Sequence, residues 1–158
     1  MPPSGLSLRG CELRDLGQVG QIEKDSFPER PYTRLDFVYF LMLARKGFIV
    51  ASVDGQVVGY VIATSQGRVG SIQSIAVLQA FRKKGVGETL MRSAISQLSS
   101  GVDRVRLLVD VKNSGAIRLY RKLLFEETGR VVRRYYPDGS DAMEMTRKLQ
   151  ASRRRASP

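Results

Sequence analysis

The spacing of apolar residues along this chain changes several times between the strand period and the helical period. Residues 6–12 alternate weakly between apolar and polar side chains and predict a first strand. A helical spacing begins at Asp15 and is interrupted by the two prolines within 27–31, which a helix interior does not tolerate. A capping box that begins at Thr33 then predicts the start of a second helix over residues 35–43.

The middle of the chain predicts three strands and a third helix. Two runs rich in β-branched residues, 48–53 and 57–62, flank Asp54-Gly55, a dipeptide that favours the type I′ turn of a hairpin. A further strand is predicted over residues 69–77. The following apolar residues return to helical spacing and predict a buried helix face formed by Val86, Leu90, Met91, Ala94, Ile95 and Leu98.

The last third of the chain predicts a strand, a helix and a closing hairpin. Residues 104–111 predict a strand whose apolar face consists of Val105, Leu107, Val109 and Val111. Asn113 is suited to cap the helix that follows. The apolar stripe of that helix is predicted to consist of Ala116, Ile117, Tyr120, Leu123 and Leu124. Residues 125–136 and 141–149 predict a hairpin around the turn at 137–139.

The predicted order of elements is therefore β-α-α-β-β-β-α-β-α-β-β. Hairpins combined with a helical crossover predict an α/β (α+β) fold, with a mixed, mostly antiparallel central sheet of about seven strands and about four helices on its two faces. A chain of 158 residues suits one domain. We expect that domain over residues 1–149 and a basic tail over residues 150–158.

The chain carries a strong positive charge. Its 26 Lys and Arg residues against 15 Asp and Glu residues give a formal net charge of +11, and the pI is near 10.3. This balance favours acidic partners such as nucleic acid, ribosomal RNA or a phosphate-rich cofactor. Arg153–Arg155 lie outside any periodic pattern, and both a solvated, disordered end and a docking arm for RNA or a ribosome-like surface fit them.

The rare residue types exclude several kinds of site. The chain has no histidine and one cysteine, Cys11, which excludes Ser-His-Asp and Cys-His catalysis, an intramolecular disulfide and Cys-rich or His-rich metal sites. No apolar stretch approaches the ~20 residues of a membrane helix, and residues 1–5 lack the features of a secretory signal. We therefore expect an intracellular, cytoplasmic protein without a metal and without membrane association.

The most specific chemical signal is the stretch Arg82-Lys83-Lys84-Gly85-Val86-Gly87. It joins a predicted strand to a predicted helix, so that cations and the unpaired first N–H groups of the helix would together bind a diphosphate. The glycines allow a phosphate to approach the backbone closely. The loop of nucleotide hydrolases and the three-glycine dinucleotide loop both fail to match. A basic surface turn without any ligand is the alternative.

This order of elements and these residues resemble the GCN5-related N-acetyltransferases over about residues 6–149. The basic loop matches that family's Q/R-x-x-G-x-G/A motif, which binds the pyrophosphate of acetyl-CoA, and residues 113–120 match its N-x-x-A-x-x-x-Y pattern. In the family the Asn contacts the cofactor, and the Tyr hydroxyl lies near the thioester sulfur. The resemblance implies acetyl-CoA as cofactor. It implies as cofactor-binding residues Ile75, Ala76, Val77, Arg82, Lys83, Lys84, Gly85, Val86, Gly87, Glu88, Asn113 and Tyr120.

Within the family, the chain is most similar to enzymes that acetylate protein N-termini, of both the bacterial ribosomal-protein-alanine type and the archaeal and eukaryotic type. Residues 27–32 resemble the loop between their first two helices, and residues 134–142 resemble their Y-Y-x-D-G-x-D-A turn. The resemblance implies direct transfer of an acetyl group to an N-terminal α-amine. It implies as substrate-binding residues Phe27, Pro28, Glu29, Tyr32, Tyr135 and Tyr136, although ordinary turn aromatics would explain the tyrosines as well.

The residues that would move protons match the family only in part. Relatives carry a Glu or His five positions before the Asn, where this chain has Leu108, and others carry a Tyr or His where it has Ser71. The expected proton acceptor is Glu29 through a water, with Asp110, or no fixed base at all, as alternatives. Glu29 could instead only orient the peptide amine or pair with a neighbouring Arg. Tyr120 is the expected general acid for the departing sulfur.

Two other functions fit the sequence. A protein-lysine or small-amine acetyltransferase would have the same fold. A basic RNA- or ribosome-binding module with a vestigial cofactor pocket would explain the charge and the unusual residues at 71 and 108, although an aromatic-rich sheet motif for single-stranded RNA is absent. The expected partners are protein N-termini as substrate and, in addition, the ribosome or an auxiliary subunit. The expected state is a monomer or weak dimer.

Overall fold

The computed structural model describes residues 2–149, and the predicted order of elements is confirmed over that range. The strands are β1 (Leu6–Gly10), β2 (Phe48–Val53), β3 (Gln56–Gln66), β4 (Val69–Val77), β5 (Arg104–Asp110), β6 (Glu126–Val132) and β7 (Ala142–Lys148). The helices are α1 (Leu16–Ser26), α2 (Arg34–Ala44), α3 (Val86–Leu98) and α4 (Ser114–Lys122). The predicted tail at 150–158, with its three arginines, lies outside the described residues.

The seven strands form one sheet in the order β1-β2-β3-β4-β5-β7-β6. Every neighbouring pair is antiparallel except β4 and β5, which run parallel and are connected through α3. A parallel pair needs such a crossover, whereas a short turn suffices for an antiparallel pair. The predicted mixed, mostly antiparallel sheet is therefore confirmed.

Local sequence sets the register of the β2–β3 hairpin. Asp54 and Gly55 have φ angles of 50° and 81°, and a type I′ turn requires positive values at both positions. The pairing across this turn places Val50 opposite Tyr60 and Phe48 opposite Ile62. Because directly opposed residues point to the same side of a sheet, these four large side chains share one face.

Different helices cover the two faces of the sheet, as predicted. On one face α3 and α4 pack around buried residues that include Leu90, Met91 and Phe125. On the other face α1 and α2 cover an aromatic cluster, in which the ring of Phe37 meets the ring of Tyr60 edge-on at a centroid distance of 5.9 Å. The sheet thus separates an aliphatic layer under α3 from an aromatic layer under α2.

Two predictions about buried faces are wrong. Val111 lies beyond the end of β5 and is 44% exposed. Leu124 lies beyond the end of α4, is 69% exposed and has a φ of 68°. A residue in this left-handed conformation turns the chain out of the helix, so its side chain leaves the apolar stripe. In addition, β1 ends at Gly10 and β6 at Val132, before their predicted limits.

β4 and β5 pair only over residues 69–71 and 104–106. Beyond this short ladder, β4 continues to Val77 along β3, and β5 continues to Asp110 along β7. Among residues 2–149, the facing sides of these two strand ends have no strand partner. We call the opening between them the wedge, because its two sides meet at the ladder and part towards the carboxyl ends of both strands.

A β-bulge redirects the side chains of β4 inside the wedge. Gln73 is left without a cross-strand partner between Ile72 and Ser74, and the extra residue reverses the alternation of faces. Ile72 accordingly belongs to the core under α3, whereas Ala76 belongs to the core under α1 and α2. Ser74 is two residues from Ala76 and shares its face.

Candidate active site

Two helices begin at the open end of the wedge. β4 leads through the basic loop into α3, and β5 leads through Asn113 into α4. The carboxyl ends of two neighbouring parallel strands lie at the same edge of a sheet, which is where open α/β sheets bind their ligands. A ligand in the wedge therefore meets the unpaired N–H groups of two helix N-termini.

The basic loop presents backbone N–H groups. Gly85 caps α3 with a left-handed φ of 79°, and the first N–H of the helix to find a carbonyl partner is that of Thr89, which donates to Gly85 at 3.0 Å. A Cβ built on Gly87 would make only ordinary contacts, 3.7 Å to Leu119 and 3.9 Å to Val77. Packing within the protein does not demand a glycine at position 87, whereas a phosphate lying against the backbone would.

The three cations of the loop have different surroundings. Arg82 donates from Nε to the carbonyl of Val77 at 2.8 Å and from a terminal nitrogen to Ser26 Oγ at 3.2 Å. It therefore attaches the loop to the ends of β4 and α1. Lys84 lies over the ring of Phe81 at 5.7 Å. The side chains of Lys83 and Lys84 are exposed and remain available to an anion.

Glu88, expected at the cofactor, has a carboxylate that joins two helices. It pairs with Lys122 of α4 at 2.9 Å and with Arg92 of its own helix at 3.0 Å. These two cations, Lys122 first, hold the pKa of Glu88 below its usual range. Its side chain thus connects α3 to α4, and what it offers to a ligand in the wedge is its backbone N–H.

α4 carries both members of the Asn…Tyr pattern. The side-chain oxygen of Asn113 accepts the N–H of Ala116 at 3.1 Å and caps the helix, as predicted; its amide nitrogen is left for another partner. Tyr120 is 7% exposed, and its ring lies 6.0 Å from that of Phe125. Burial raises the pKa of Tyr120 to about 12. Its hydroxyl has no hydrogen bond within residues 2–149.

The loop between α1 and α2 is anchored at Tyr32. The ring of Tyr32 meets Phe37 and Phe40 edge-on at 5.9 Å and 5.3 Å, and its N–H donates to Glu23 Oε1 at 3.0 Å. Phe27 is 41% exposed, and Pro28 and Glu29 are exposed as well. The loop therefore offers an apolar and a carboxylate surface to an incoming chain.

The β6–β7 turn is attached to the end of β5 through Ser140. Its Oγ lies 2.9 Å from Asp110 Oδ2 and 2.5 Å from Asp138 Oδ1. The hydroxyl of Ser140 and its N–H, at 2.9 Å, both donate to Asp138 Oδ1 and hold the pKa of Asp138 at about 2. Tyr135 and Tyr136 project from this turn with their rings 5.0 Å apart, edge to face.

The tyrosines of the two loops lie in surroundings that disfavour their ionised forms. Burial raises the pKa of Tyr32, and Tyr135 adds to the rise. Burial also raises the pKa of Tyr136, with further contributions from Tyr135, Asp110 and Tyr120. Tyr32 and Tyr136 therefore keep their hydroxyl protons near neutral pH.

The positions that hold bases in relatives carry none here. Ser71 Oγ accepts a hydrogen bond from Arg106 Nε at 3.2 Å, and Leu108 is a half-buried apolar side chain. Asp110 Oδ1 accepts the N–H of Lys112 at 2.9 Å, and Asp110 Oδ2 shares the hydroxyl of Ser140 with Asp138. Asp110 therefore helps to anchor the β6–β7 turn.

The comparisons with known proteins agree with this geometry. The family model described as Acetyltransferase (GNAT) family matches residues 16–125. An N-alpha-acetyltransferase of Sulfurisphaera tokodaii is 35% identical over 90% of this chain and 92% of its own, and one of Sulfolobus acidocaldarius is 36% identical over the same shares. The crystal structure of Ard1 from Thermoplasma volcanium superposes with a TM-score of 0.87 at 30% identity, covering 92% of this chain and 99% of that one. The chain belongs to the GNAT acetyltransferase family.

This family transfers acetyl groups from acetyl-CoA, so the expected enzyme class and cofactor are confirmed. The residues of this acetyltransferase fit the group: free N–H groups at the start of α3, a glycine that packing does not require, and two exposed lysines. Within residues 2–149, no cluster of acidic or cysteine side chains could hold a metal ion. None of the helices in that range is both long and apolar enough to span a bilayer.

Sequence reasoning missed one group of this acetyltransferase. Glu23, on α1, is 2% exposed, and its Oε2 accepts the hydroxyl of Tyr60, which also lies 3.0 Å from Ser74 Oγ. The one available signal was a charged residue at a helical spacing otherwise occupied by apolar side chains. Its partners come from β3 and β4, and no local pattern connects them to α1.

Proposed function

We propose that this acetyltransferase transfers the acetyl group of acetyl-CoA to the N-terminal α-amine of proteins. The observation that carries the proposal is the aromatic loop bearing Tyr32, which packs on the face covered by α1 and α2. The amide groups for the cofactor belong to α3 and α4 on the opposite face. The two reactants would thus enter the wedge from opposite sides. Relatives named N-alpha-acetyltransferase that match nine-tenths of the chain support this substrate.

The basic loop would hold the diphosphate of the cofactor. The N–H groups of Val86, Gly87 and Glu88 supply donors, and Lys83 and Lys84 supply charge. The free edge of β4 over 75–77 offers backbone donors and acceptors to an amide-containing arm, because β5 does not pair there. When bound, acetyl-CoA supplies an acetyl group activated as a thioester. Arg82 would act mainly by keeping the loop in place.

Tyr120 would protonate or hydrogen-bond the departing sulfur. Burial raises the pKa of Tyr120 to about 12, so its hydroxyl remains protonated near neutral pH. A buried hydroxyl without a hydrogen-bond partner among residues 2–149 is free to donate to a group that becomes negative during the reaction.

Glu29 would receive the charged N-terminus. Its carboxylate is exposed on the α1–α2 loop beside Phe27 and Pro28, where it would attract an incoming ammonium group. Through a bridging water it would also accept the proton of that group. Tyr32, Tyr135 and Tyr136 would line the first residues of the peptide with flat, amphipathic surfaces.

A thiol-release assay with three kinds of acceptor tests the substrate assignment. We expect turnover of peptides that have a free N-terminus and no lysine, and none of N-terminally blocked peptides that contain lysine or of small amines. Turnover of the blocked peptides alone would make the chain a lysine acetyltransferase. Salt-sensitive RNA binding without any acetyl transfer would instead indicate a basic RNA-binding module. A library of N-terminal sequences would then give the specificity.

Other expectations about partners and location stay predictions from the sequence. Nascent protein chains are made in the cytoplasm, which is where we place the proposed reaction. The ribosome and an auxiliary subunit are the further partners that we expect. Size-exclusion chromatography with light scattering measures the expected monomer or weak dimer.

A further inference from the structure

Glu23 is a buried carboxylate on the peptide side of the wedge. Its Oε1 accepts the N–H of Tyr32 at 3.0 Å, and its Oε2 accepts the hydroxyl of Tyr60. No ion pair within residues 2–149 includes Glu23. Burying a carboxylate without a cation is costly, and such groups beside a cleft are frequently functional.

The hydrogen bonds around Tyr60 have a defined direction. A tyrosine hydroxyl has one proton, and that of Tyr60 is donated to Glu23, so its oxygen accepts from Ser74 at 3.0 Å. Ser74 Oγ then keeps its own acceptor capacity. Every hydrogen bond in this series donates its proton in the direction of Glu23. The other end of the series is the oxygen of Ser74.

That free end lies in the wedge. Ser74 is half-buried, and it belongs to the part of β4 that does not pair with β5. The bulge at Gln73 turns it to the face of α1 and α2, from which the peptide would enter. An amine brought to this part of β4 meets Ser74 Oγ as an acceptor.

We propose that Ser74, Tyr60 and Glu23 form a proton relay that deprotonates the substrate's α-ammonium group, an inference that rests on the proposed function. An N–H bond of the ammonium breaks as an O–H bond forms at Ser74. Ser74 passes its own proton to Tyr60, and Tyr60 passes its proton to Glu23 Oε2. The amine keeps the electron pair of the broken bond, and Glu23 becomes a neutral carboxylic acid. Both hydroxyl groups end with one proton each.

The surroundings of Glu23 suit a proton acceptor. The titratable groups that face it are Tyr60 from β3, Tyr32 from the loop and Asp36 from α2. Burial raises the pKa of Glu23, Asp36 adds to the rise, and the hydrogen bonds from Tyr32 and Tyr60 oppose it. A carboxylate with a raised pKa is a stronger base than an exposed one. The relay supplies the function that Ser71 and Leu108 lack.

The test compares variants at two pH values, using peptides with a free N-terminus. Glu23→Gln, Tyr60→Phe and Ser74→Ala each interrupt the relay at a different atom. We expect each to lower kcat/KM by at least about tenfold near pH ~7 and to return to within about twofold of the wild type near pH ~9.5, since a free α-amine has a pKa near ~8. The exposed Tyr39→Phe, on α2, serves as the matched control and remains unchanged at both pH values.

Two further measurements separate the relay from folding. Calorimetric titration with acetyl-CoA should give the wild-type affinity for all three variants. Infrared titration should show a carboxyl band of the wild type that titrates above the usual range of glutamate and is missing in Glu23→Gln. Ser74→Ala, at a half-buried position, keeps the test valid if the other two variants fold poorly.

Three results would overturn the relay. One is an equal loss of activity at both pH values, which would mean that the network only supports the fold. Another is no loss at either pH. The third is that Glu29→Gln is the one variant whose kcat/KM falls at the lower pH and recovers at the higher pH, which would make Glu29 the proton acceptor. A wild type that modifies only lysine would refute the proposed function and with it the relay, whereas the three results above would refute the relay alone.

Discussion

Burial sets the protonation of the groups that line the wedge. Tyr120 is enclosed by the core under α3 and α4, and its pKa rises to about 12. Glu23 is enclosed from the other side of the sheet, and its pKa rises as well. One group therefore stays a proton donor at neutral pH, and the other becomes a stronger acceptor. Such a division of roles is what acid–base catalysis requires.

Removing the hydroxyl of Tyr120 should slow the reaction without weakening the binding of either substrate. Tyr120→Phe keeps the ring that packs on Phe125, and general acid catalysis is worth on the order of 100-fold. We expect kcat to fall by about that factor, with acetyl-CoA affinity and peptide KM within about twofold of the wild type. Steady-state kinetics and calorimetry measure these quantities. An unchanged kcat would remove Tyr120 from the chemistry.

Glu23 should make the stability of the fold depend on pH. Its folded-state pKa is raised, so the folded protein holds this proton to a higher pH than the unfolded chain does. The resulting stability is complete below the usual glutamate pKa of ~4.3 and is lost as the pH rises through the raised value. Relative to Glu23→Gln, the wild type should become less stable from about pH 4 towards neutrality, as measured by urea unfolding. A difference that stays constant with pH would contradict this.

The sequence predicted single residues unevenly. The cap at Asn113 and the buried helical stripe with Tyr120 were predicted because both are local patterns, and the structure confirms the cap and the burial. Ser74, Tyr60 and Glu23 were missed because their network joins two strands and a helix through a β-bulge. The alternation of faces along β4 reverses at Gln73, and no sequence period shows that reversal.

The ends of the elements decide where the site lies. α3 starts at a left-handed glycine, and α4 starts at an asparagine cap, so both open towards the wedge. The predicted capping box of α2 is confirmed, since Asp36 N–H donates to Thr33 Oγ1 at 3.2 Å and Thr33 N–H donates to Asp36 at 2.7 Å. Such helix-capping residues were predictable because each helix end needs polar partners for its free backbone groups.

The end of α4 has a residue that costs stability. Leu124 has a φ of 68° and is 69% exposed, so it carries the strain of a left-handed conformation with little burial in return. Leu124→Gly should increase the free energy of unfolding by about 1 kcal/mol. Urea denaturation measures the change. Val111→Gly, at an exposed residue with a negative φ, is the control and should bring no gain; equal gains at both positions would refute the argument.

The position of the candidate site depends on the topology of the whole sheet. The strand order β4-β5-β7-β6 brings the β6–β7 turn beside the end of β5, and Tyr32 packs in the layer under α1 and α2. The order of elements followed from local periodicity. The length of the β4–β5 ladder did not, because it depends on how two strands distant in sequence diverge across the twisted sheet. The wedge is thus a property of tertiary structure.

The central claim is that the unpaired N–H groups at the start of α3 bind the diphosphate of acetyl-CoA. Gly87→Asp places a negative charge at the second position of α3, where it suits the helix dipole but repels phosphate. Gly17→Asp makes the same change at the second position of α1, where an added Cβ meets no atom within 4 Å. The two variants should therefore fold equally well and differ only in their distance from the wedge.

Calorimetric titration of acetyl-CoA into the wild type and these two variants tests the claim directly. We expect the affinity of Gly17→Asp to stay within about twofold of the wild type and that of Gly87→Asp to fall by at least about tenfold, since charge contacts at a phosphate site are worth a kcal/mol or more. Equal affinity of Gly87→Asp and the wild type, at the same melting temperature, would contradict the account.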